Sequence, residues 1–303
     1  MAVYDDMHGL IGNTPLVRLK HMGIRPEVKV YAKLELWNPG GSVKDRVGQS
    51  MLRSAEQRGI LKEGTVIVLG TAGNTGLGFA FAALNRGYRL IFTVPTKFSA
   101  EKQALLRALG AEVINTPSAL GMQGAVEKAE EIRQSIPGAV TLDQFSDPAN
   151  PLAHYEGTGK EIWDALGSDI DYFLAGAGSG GTYSGTARYL KEQKPEIRGI
   201  LADPVGSVIG GGTHADYKIE GIGNDFIAET MDMSLVDDVI KVSDAEAFET
   251  VRLLAKNEGI FAGASSGAAM AAAIKFAQTL SSGTIVTIFP DRGDRYFSTG
   301  LYI

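Results

Sequence analysis

Cysteine is the residue type that this chain of 303 residues lacks altogether. Its absence excludes disulfide bonds, thiolate metal sites and a catalytic thiol at once. Long apolar runs are missing as well, so no segment has the length of a membrane-spanning helix. The N-terminus shows neither the apolar stretch nor the small-residue cleavage site of a secretory signal. These absences predict a protein of the cytoplasm that does not engage a membrane.

Charge of one sign is nowhere concentrated, although the formal net charge is -6. Surfaces that bind nucleic acid are built from clustered basic residues, so DNA and RNA are not expected partners. The histidines show no metal-ligand spacing, which predicts no metal site. They are His8, His21, His154 and His214. Small molecules remain as the expected ligands.

What the chain does contain is an alternation of strand-like and helix-like segments along nearly its whole length. Short apolar runs occur at residues 65–69, 89–94, 172–175 and 284–289, and segments with helical periodicity separate them. A weaker strand is predicted near Val140, and Pro148 and Pro151 are predicted to break both helix and sheet. The glycine-rich segment between the predicted strand at 197–202 and the predicted helix at 245–258 is expected to be irregular. This order predicts an α/β fold with two doubly wound, mostly parallel sheets, since one core rarely organises 303 residues. In such sheets, ligands bind at the loops that leave the carboxyl ends of the strands.

The segment Asn-Pro-Gly-Gly-Ser-Val-Lys-Asp-Arg, residues 38–46, places Lys44 in the first turn of a predicted helix that ends near Gly59. Ser42 is the predicted N-cap, and Asp45 is a weaker partner in a capping box. An ammonium is disfavoured near the positive end of the helix dipole, so the amine is easier to use as a nucleophile. A capped surface helix with a solvated lysine is the commoner meaning of such a motif when it stands alone.

Two glycine- and hydroxyl-rich loops follow predicted strands or open predicted helices. Residues 70–76, Gly-Thr-Ala-Gly-Asn-Thr-Gly, expose backbone N–H groups at a helix N-terminus, which suits a carboxylate or a phosphate. Residues 262–268, Ala-Gly-Ala-Ser-Ser-Gly-Ala, place a hydroxyl where it can meet a heterocyclic nitrogen. An ordinary capped turn is the alternative for the first loop, and close helix packing is the alternative for the second.

A third loop, Gly-Ala-Gly-Ser-Gly-Gly-Thr at residues 176–182, permits two interpretations. Glycine lets the backbone approach a phosphate closely, and the hydroxyls add donors, which favours a phosphate monoester. The loop also satisfies G-x-G-x-x-G, and Asp203 ends the next predicted strand, as in a nicotinamide-dependent dehydrogenase. No second half of a dinucleotide-binding domain accompanies this fingerprint, so the phosphate monoester is preferred.

A phosphate site, a hydroxyl for a ring nitrogen and a reactive lysine suit one ligand, pyridoxal 5'-phosphate. The chain resembles the cysteine synthase and cystathionine β-synthase family of fold type II pyridoxal-phosphate enzymes over essentially its whole length, as a bacterial core-only form. The motifs that carry the resemblance are, in order, Ile-Gly-Asn-Thr-Pro-Leu-Val at 11–17, the lysine segment at 38–46, Thr-Ala-Gly-Asn-Thr-Gly at 71–76, Gln-Phe-Ser-Asp-Pro-Ala-Asn-Pro at 144–151, Gly-Ser-Gly-Gly-Thr at 178–182, Glu-Gly-Ile-Gly at 220–223 and Ser-Ser-Gly at 265–267.

The resemblance implies a tryptophan synthase β-like fold with the cofactor between the two subdomains. Residues 40–147 would form a smaller, mobile subdomain that holds the substrate carboxylate. Residues 1–39 and 148–303 would form the larger subdomain, which holds the cofactor phosphate.

The same resemblance implies the site residues. Lys44 would be the catalytic residue, forming the internal Schiff base and later moving the α-proton. Asn74 would contact the ring hydroxyl, and Ser265 would face the ring nitrogen. The phosphate would lie against Gly178, Ser179, Gly180, Gly181 and Thr182. The substrate side would include Thr71, Ala72, Gly73, Asn74, Thr75, Gln144, Gly221, Gly223 and Asp225.

Two positions bear on which member of that family the chain is most similar to. Ala72 stands where members usually have serine, so one hydroxyl near the reacting carbon is missing. Asp225 precedes a phenylalanine, as an acidic residue does in cystathionine β-synthases, and would help to receive an acceptor with its own amino group. A solvated loop acid is the equal alternative for Asp225. Arg295 and Tyr296 are assigned to packing, with closure of the ring-nitrogen side as the alternative.

The implied reaction is β-replacement on L-serine or O-acetyl-L-serine through an α-aminoacrylate, with a thiol acceptor. Cystathionine formation from homocysteine is preferred, together with cysteine formation from sulfide. The alternatives are a dedicated O-acetylserine sulfhydrylase, a lyase or lanthionine synthase that consumes cysteine and releases sulfide, and the dehydrogenase. A homodimer is implied, and serine acetyltransferase is the candidate protein partner.

Overall fold

The structure, a computed structural model, describes residues 3–71, 73–96 and 98–303 as two sheets with helices around them. The strands are β1 (Leu16–Leu19), β2 (Val28–Leu34), β3 (Val66–Gly70), β4 (Arg89–Pro95), β5 (Glu112–Thr116), β6 (Tyr172–Gly176), β7 (Arg198–Pro204), β8 (Asp238–Val242) and β9 (Gly283–Phe289). The α-helices are α1 (Lys44–Gln57), α2 (Asn74–Ala82), α3 (Ala100–Ala108), α4 (Gly121–Ser135), α5 (Ala149–Ala153), α6 (Lys160–Leu166), α7 (Gly181–Gln193), α8 (Asp244–Leu253) and α9 (Ala264–Thr279). Within this part of the chain, every helix is too short or too polar to cross a lipid bilayer.

The strands form a larger and a smaller sheet. The larger sheet has the order β1-β2-β9-β6-β7-β8, and its neighbours run parallel except for the pair β1 and β2. The smaller sheet has the order β3-β4-β5 and is parallel throughout. The predicted α/β fold with mostly parallel sheets is confirmed. Strands β3 to β5 lie within residues 40–147, whereas the boundaries and the mobility of that subdomain stay predictions.

Each sheet is covered by helices on both faces. In the smaller sheet, Ile67 and Phe92 pack with α1 and α2, whereas Val68 and Ile91 face α4. In the larger sheet, alternate residues of β9 divide between a core with α8 and α9 and a core with α6 and α7. This two-sided burial explains why the central strands are apolar along their whole length.

Three segments differ from the sequence prediction. Strand β8 lies in a region predicted to be irregular, where it pairs with β7 at the edge of the larger sheet. The weak strand predicted near Val140 is a single parallel bridge to Ile67. Pro148 and Pro151, predicted to break helix and sheet, instead open α5. Proline is tolerated in a first helical turn, since no intrahelical N–H bond is needed there.

Helices α1 and α2 approach each other closely through glycine. A Cβ atom on Gly78 would overlap the main-chain oxygen of Lys44, and one on Gly48 would overlap the oxygen of Gly78. No side chain fits between the two backbones at this crossing. The helix that begins with Lys44 is therefore held at a fixed separation from the helix that begins with Asn74.

On its other side, α1 is anchored to the larger sheet by Arg46. The guanidinium pairs with Glu35, which follows β2, and with Glu161 of α6, at 2.7 Å in both cases. Burial alone raises the pKa of Glu35, but Arg46 and the Thr14 hydroxyl outweigh it and lower that pKa to about 2. Helix α1 thus spans from one sheet to the other, with Lys44 at its first residue.

Candidate active site

Lys44 lies where the sequence predicts it, as the first residue of α1. It lines a cavity of about 380 Å³ together with the glycine loop at 176–180 and with Gly221. In the described part of the chain, its amine has no hydrogen bond or ion pair. Burial lowers the pKa of Lys44 to about 8, and the carboxylate of Asp291 opposes that shift. An amine that is partly neutral near pH 8 suits a nucleophile and a base.

The predicted capping box does not form at the start of α1. The prediction of Ser42 as the N-cap is wrong, since Val43 holds that position, although the Ser42 hydroxyl accepts a hydrogen bond from the Lys44 N–H at 3.2 Å. Asp45, however, accepts from the N–H of Gly40 at 2.5 Å and closes the turn before the helix. Burial raises the pKa of Asp45 to about 7. The carboxylate faces back into the preceding loop because that loop folds over the helix start.

The loop between β6 and α7 is shaped to surround a small anion. Gly180 has a φ of +86°, and a Cβ atom on Gly178 would lie 2.6 Å from the oxygen of Gly221. The first N–H groups of α7 have no intrahelical acceptor and no side-chain cap, so they can bind an anion. Gly178, Ser179, Gly180 and Thr182 line the same cavity as Lys44, whereas Gly181 does not.

The hydroxyls of this loop are oriented by two buried residues, Asn150 and His154, for which the sequence predicts no role in the site. Ser179 accepts a hydrogen bond from the Asn150 amide at 2.9 Å. Thr182 lies 3.2 Å from His154 Nε2. Burial lowers the pKa of His154 to about 3, so its ring is neutral at ordinary pH. The predicted phosphate residues therefore lie together, and contacts with Asn150 and His154 hold two of their hydroxyls in place.

Ser265 is the second residue of α9 and is 4% exposed. Its hydroxyl lies 3.9 Å from the position that a Cβ atom of Gly221 would occupy. Among the described residues that hydroxyl has no hydrogen-bond partner. A hydroxyl without a partner in the protein is available to complete a hydrogen bond with a ligand. A heterocyclic nitrogen is such a ligand.

The predicted carboxylate residues gather at a second cavity, of about 840 Å³. Thr71, Thr75 and Gln144 line it. The Thr75 hydroxyl donates to Gln144 Oε1 at 2.9 Å, which leaves the N–H groups of that amide for a ligand. Gly73 caps the start of α2. Ala72 lies outside the described residues.

Asn74, the first residue of α2, lines neither of these two cavities. Its amide is bound by Asp291 and Arg295 instead. Asp291 is 1% exposed, and burial raises its pKa against the opposing hydrogen bonds from Tyr296 and Asn74. Packing is the role predicted for Arg295 from the sequence, and no role is predicted for Asp291. The available signal was that Asp291 follows the carboxyl end of a parallel strand, β9.

Gly221 and Gly223 border the first cavity from the segment that follows β7. Gly221 lines the cavity. The N–H of Gly223 donates to the oxygen of Ala177 at 2.7 Å, which ties this segment to the glycine loop. Both glycines have positive φ, +90° and +79°, so other residues would be strained there.

Asp225 lies at the solvent edge of this region. It is exposed and is followed by Phe226, whose ring packs edge-on against Phe145 with the centroids 5.3 Å apart. Phe145 lines the second cavity. Asp225 is therefore next in sequence to a side chain that reaches the predicted substrate side.

Asp203, the acidic residue of the dinucleotide interpretation, is committed elsewhere. It is fully buried, pairs with Lys241 at 2.5 Å and accepts from the N–H of Gly210 at 2.9 Å. An acid that binds a ribose has to face the ligand, and Asp203 does not. The dinucleotide interpretation is therefore left with the glycine fingerprint alone.

The groups without partners fit one cofactor. An amine in a cavity, free N–H groups at a helix start and a buried hydroxyl match an aldehyde, a phosphate ester and a pyridine nitrogen. Pyridoxal 5'-phosphate carries all three. In the part of the chain that the structure describes, no cluster of three or more His, Asp or Glu side chains is arranged to hold a metal ion.

A protein-family model, two known enzymes and one solved structure match this chain over most or all of its length. Residues 7–291 match a family model described as pyridoxal-phosphate dependent enzyme. An O-acetylserine dependent cystathionine beta-synthase from Bacillus subtilis (strain 168) is 48% identical over 303 residues, 100% of this chain and 99% of that protein. A cysteine synthase from Helicobacter pylori (strain ATCC 700392 / 26695) is 46% identical, with 100% of both chains covered. The crystal structure of an O-acetylserine dependent cystathionine beta-synthase from Helicobacter pylori matches with a TM-score of 0.95 at 45% identity, covering 100% of each chain.

Proposed function

This chain belongs to the family of pyridoxal-phosphate-dependent enzymes, with the fold type II architecture, and we propose that it replaces the β-substituent of an amino acid by a thiol. The preferred donor is O-acetyl-L-serine, with L-serine as the other candidate. The preferred acceptor is homocysteine, which gives cystathionine, and sulfide is a second acceptor, which gives cysteine. The main support for this chemistry is the Lys44 amine, which has no partner in the described chain and lies in one cavity with the glycine loop. The choice of donor is supported by the name of the Bacillus subtilis relative.

The residues present fit pyridoxal phosphate, whose chemistry when bound is to withdraw electrons from the α-carbon of an amino acid. We assign its aldehyde to Lys44, its ring hydroxyl to Asn74 and its ring nitrogen to Ser265. The phosphate is assigned to Gly178, Ser179, Gly180, Gly181 and Thr182. Because the serine hydroxyl is neutral, it does not force the ring nitrogen to stay protonated. Moderate electron withdrawal suits the early loss of a β-substituent.

Lys44 moves the proton in this proposal. Its Nζ atom takes the α-proton of the bound amino acid and returns it to the same carbon after the thiol has added. Burial lowers the pKa of this amine to about 8, so both the neutral and the charged form are accessible near neutral pH. Acetate leaves the β-carbon with the bonding electrons, and the thiol sulfur supplies the new pair.

The carboxylate of the donor is assigned to the loop at the start of α2. The Thr71 hydroxyl, the main-chain N–H groups of Gly73 and Thr75 and the free amide N–H of Gln144 would hold it, while the Thr75 hydroxyl orients the Gln144 amide. Asn74 would lie between this loop and the cofactor ring. The missing hydroxyl at Ala72 is proposed to change the lifetime of the reaction intermediate or the preference for the leaving group.

Asp225 is proposed to distinguish the two acceptors, with Gly221 and Gly223 bordering the same pocket. Homocysteine carries an amino group that can form a charge-assisted hydrogen bond with an exposed carboxylate, whereas sulfide carries none. The support is the position of Asp225 beside Phe226, which packs on the cavity residue Phe145.

Product analysis with each donor and each acceptor tests this reaction. Cystathionine and acetate are expected as the fastest products, formed from O-acetylserine and homocysteine. A higher kcat/KM with serine would overturn the choice of donor. Lanthionine and sulfide from cysteine as the main products would overturn the choice of acceptor and favour the lyase.

Asp225→Asn tests the acceptor assignment separately. It should raise KM for homocysteine about tenfold, as loss of a charge-assisted contact does, and leave KM for sulfide unchanged. Asp216→Asn, which removes the same charge from another exposed position of this segment, is the matched control. Equal effects of Asp225→Asn on both acceptors would mean that Asp225 is a solvated loop acid.

We further propose that the protein is a cytoplasmic homodimer. Exposed aromatic rings of Phe261 and Phe297, each 56% exposed and packed against Tyr302, form an apolar surface of the kind that a second copy can cover. Light scattering should give twice the chain mass, and a monomer would contradict this. Serine acetyltransferase stays a candidate partner, to be tested by titration with its C-terminal peptide.

A further inference from the structure

The Asn74 side chain is held at both ends of its amide. Arg295 Nη1 donates to Asn74 Oδ1 at 2.6 Å, and Asn74 Nδ2 donates to Asp291 Oδ2 at 2.7 Å. A guanidinium can only donate and a carboxylate accepts, so the two partners fix which end of the amide is oxygen and which is nitrogen. One N–H of the Asn74 amide is left without a partner in the described chain.

Asp291 also touches the two other loops that carry cofactor-facing side chains. Its backbone forms an isolated β-bridge with Ser42, two residues before Lys44. Its main-chain oxygen accepts from the N–H of Gly263 at 3.1 Å, two residues before Ser265. Three loops that are far apart in the sequence therefore meet at one residue, which is 1% exposed.

The surroundings of the Asp291 side chain leave it little freedom. The Tyr296 hydroxyl donates to the same Oδ2 atom that binds Asn74. A Cβ atom on Gly263 would overlap Oδ1, so the backbone of that loop lies directly against the carboxylate. Oδ1 is buried and has no hydrogen-bond partner among the residues that the structure describes. Burying a carboxylate oxygen without a hydrogen bond costs solvation free energy. This cost indicates that the Asp291 side chain does more than pack.

We propose that Asp291, with Arg295, is a positioning residue that sets the orientation of the Asn74 amide and presents an N–H donor, rather than a carbonyl, to the cofactor. Asp291 acts through Asn74, so the inference rests on the assignment of Asn74 to the cofactor in the proposed function. It does not depend on which donor or acceptor the enzyme uses. A released amide would expose its oxygen to the ring hydroxyl of the cofactor, where a donor is needed once that hydroxyl is ionised.

A double-mutant cycle with Asp291→Asn and Asn74→Ala tests this. Affinity for pyridoxal phosphate is measured by equilibrium dialysis of the apoenzyme at about pH 9.5, where the Lys44 amine is mostly neutral and its charge interaction with Asp291 does not contribute. The absorption spectrum of the holoenzyme is recorded across a pH series. Each single variant should weaken cofactor binding about tenfold, the effect of one lost hydrogen bond. The double variant should bind as Asn74→Ala does, because both changes remove the same contact. The absorption band of Asp291→Asn should shift in the direction of that of Asn74→Ala.

Two further variants keep the result interpretable. Asp294→Asn removes the same charge from an exposed residue whose ion pair in the described chain is with Arg292, and this variant should bind the cofactor as the wild type does. If Asp291→Asn unfolds, Arg295→Gln removes the other constraint on the amide and should shift the same band. Apoenzyme unfolding temperatures identify loss of fold.

The outcomes separate this inference from the proposed function. Additive effects of Asp291→Asn and Asn74→Ala, or wild-type affinity and spectrum for Asp291→Asn, would overturn the positioning role alone. Wild-type cofactor affinity and spectrum for Asn74→Ala would overturn both the positioning role and the assignment of Asn74 to the cofactor.

Discussion

At the scale of single residues, the chemistry depends on the environment of the Lys44 amine, which sets its pKa. Lys44 has no ion-pair partner in the described chain, and burial lowers its pKa to about 8 from the ordinary 10.5. The Asp291 carboxylate opposes the shift. The helix start alone would change this pKa only modestly, since such terminal effects are worth about 1 kcal/mol or less at exposed positions. The cavity therefore matters more than the helix dipole.

The pH dependence of covalent cofactor attachment follows from that pKa. Only the neutral amine attacks an aldehyde, so the rate constant for apoenzyme and pyridoxal phosphate should rise with pH and level off above pH 8. Below that value the slope should be about tenfold per pH unit, as expected for one titrating group. Stopped-flow absorbance from pH 6.5 to 9.5, roughly bracketing the titration, measures it.

The control is the reaction of the free cofactor with a simple alkylamine of known pKa over the same pH range. It shows how much of the pH dependence of the rate constant comes from titration of the cofactor itself. A half-rise near 10.5, the ordinary value for lysine, would contradict the lowered pKa. Lys44→Ala should show no attachment at any pH.

At the scale of elements, the site depends on a crossing of two helices that both begin with a site residue. Helix α1 starts at Lys44 and α2 starts at Asn74, and Gly48 and Gly78 allow their backbones to touch. Glycine inside a helix is unfavourable by about 1 kcal/mol relative to alanine. Packing of the two backbones against each other offsets this cost, and it fixes the relative position of Lys44 and Asn74.

Gly78→Ala should therefore lower both stability and reactivity. The added methyl would overlap the Lys44 oxygen, and such overpacking costs about 1–3 kcal/mol. Denaturant unfolding of the apoenzyme measures the loss, and slower cofactor attachment reports the displacement of Lys44. Arg53→Ala, on the exposed face of α1, is the control and should change stability by less than about 0.5 kcal/mol. An unchanged attachment rate for Gly78→Ala would mean that the crossing does not position Lys44.

At the scale of the whole molecule, polar side-chain contacts bridge the two sheets near the cavities, in addition to the buried Arg46 ion pairs that anchor α1. Lys102 of α3 pairs with Glu220 at 2.9 Å and lies 4.3 Å from the ring centroid of Tyr296. Arg295 donates to the oxygen of Gly40. Glu220 immediately precedes Gly221 of the first cavity. Such a polar contact can break and re-form more readily than an apolar core, because water satisfies both partners when they separate.

We propose that residues 40–147 move as a unit over the larger subdomain when the donor binds. Since the chain has no cysteine, Arg107→Cys and Glu249→Cys give two unique sites for spin labels, one in each subdomain. The distance between the labels should shorten when O-acetylserine is added to the holoenzyme. A pair within the larger subdomain, Gln193→Cys and Glu249→Cys, should not change. Equal distances with and without the donor would refute the motion.

Much of the fold could be predicted from local signals. Apolar runs bounded by glycine mark β3, β4, β6 and β9, since two-sided burial makes central strands apolar throughout. The position of Lys44 at a helix start followed from its loop and from Ser42. The edge strand β8 was missed because it mixes charged with apolar residues and has one neighbour. The strand predicted near Val140 was wrong, because Val140 forms a single bridge to Ile67 rather than a ladder of pairs.

The sequence alone was enough for the alternation of strands and helices, the three loops at strand ends and the candidate lysine, because each is written in a few neighbouring residues. Family motifs added the cofactor. Only the tertiary structure brought Asn74 to Asp291 and Arg295, which lie 217 and 221 positions further along the chain. It also decided that Asp45 turns back to Gly40 and that Asp203 is buried with Lys241. Such contacts depend on how the sheets and helices stack. No local pattern of residue types shows which residues far apart in the sequence will touch.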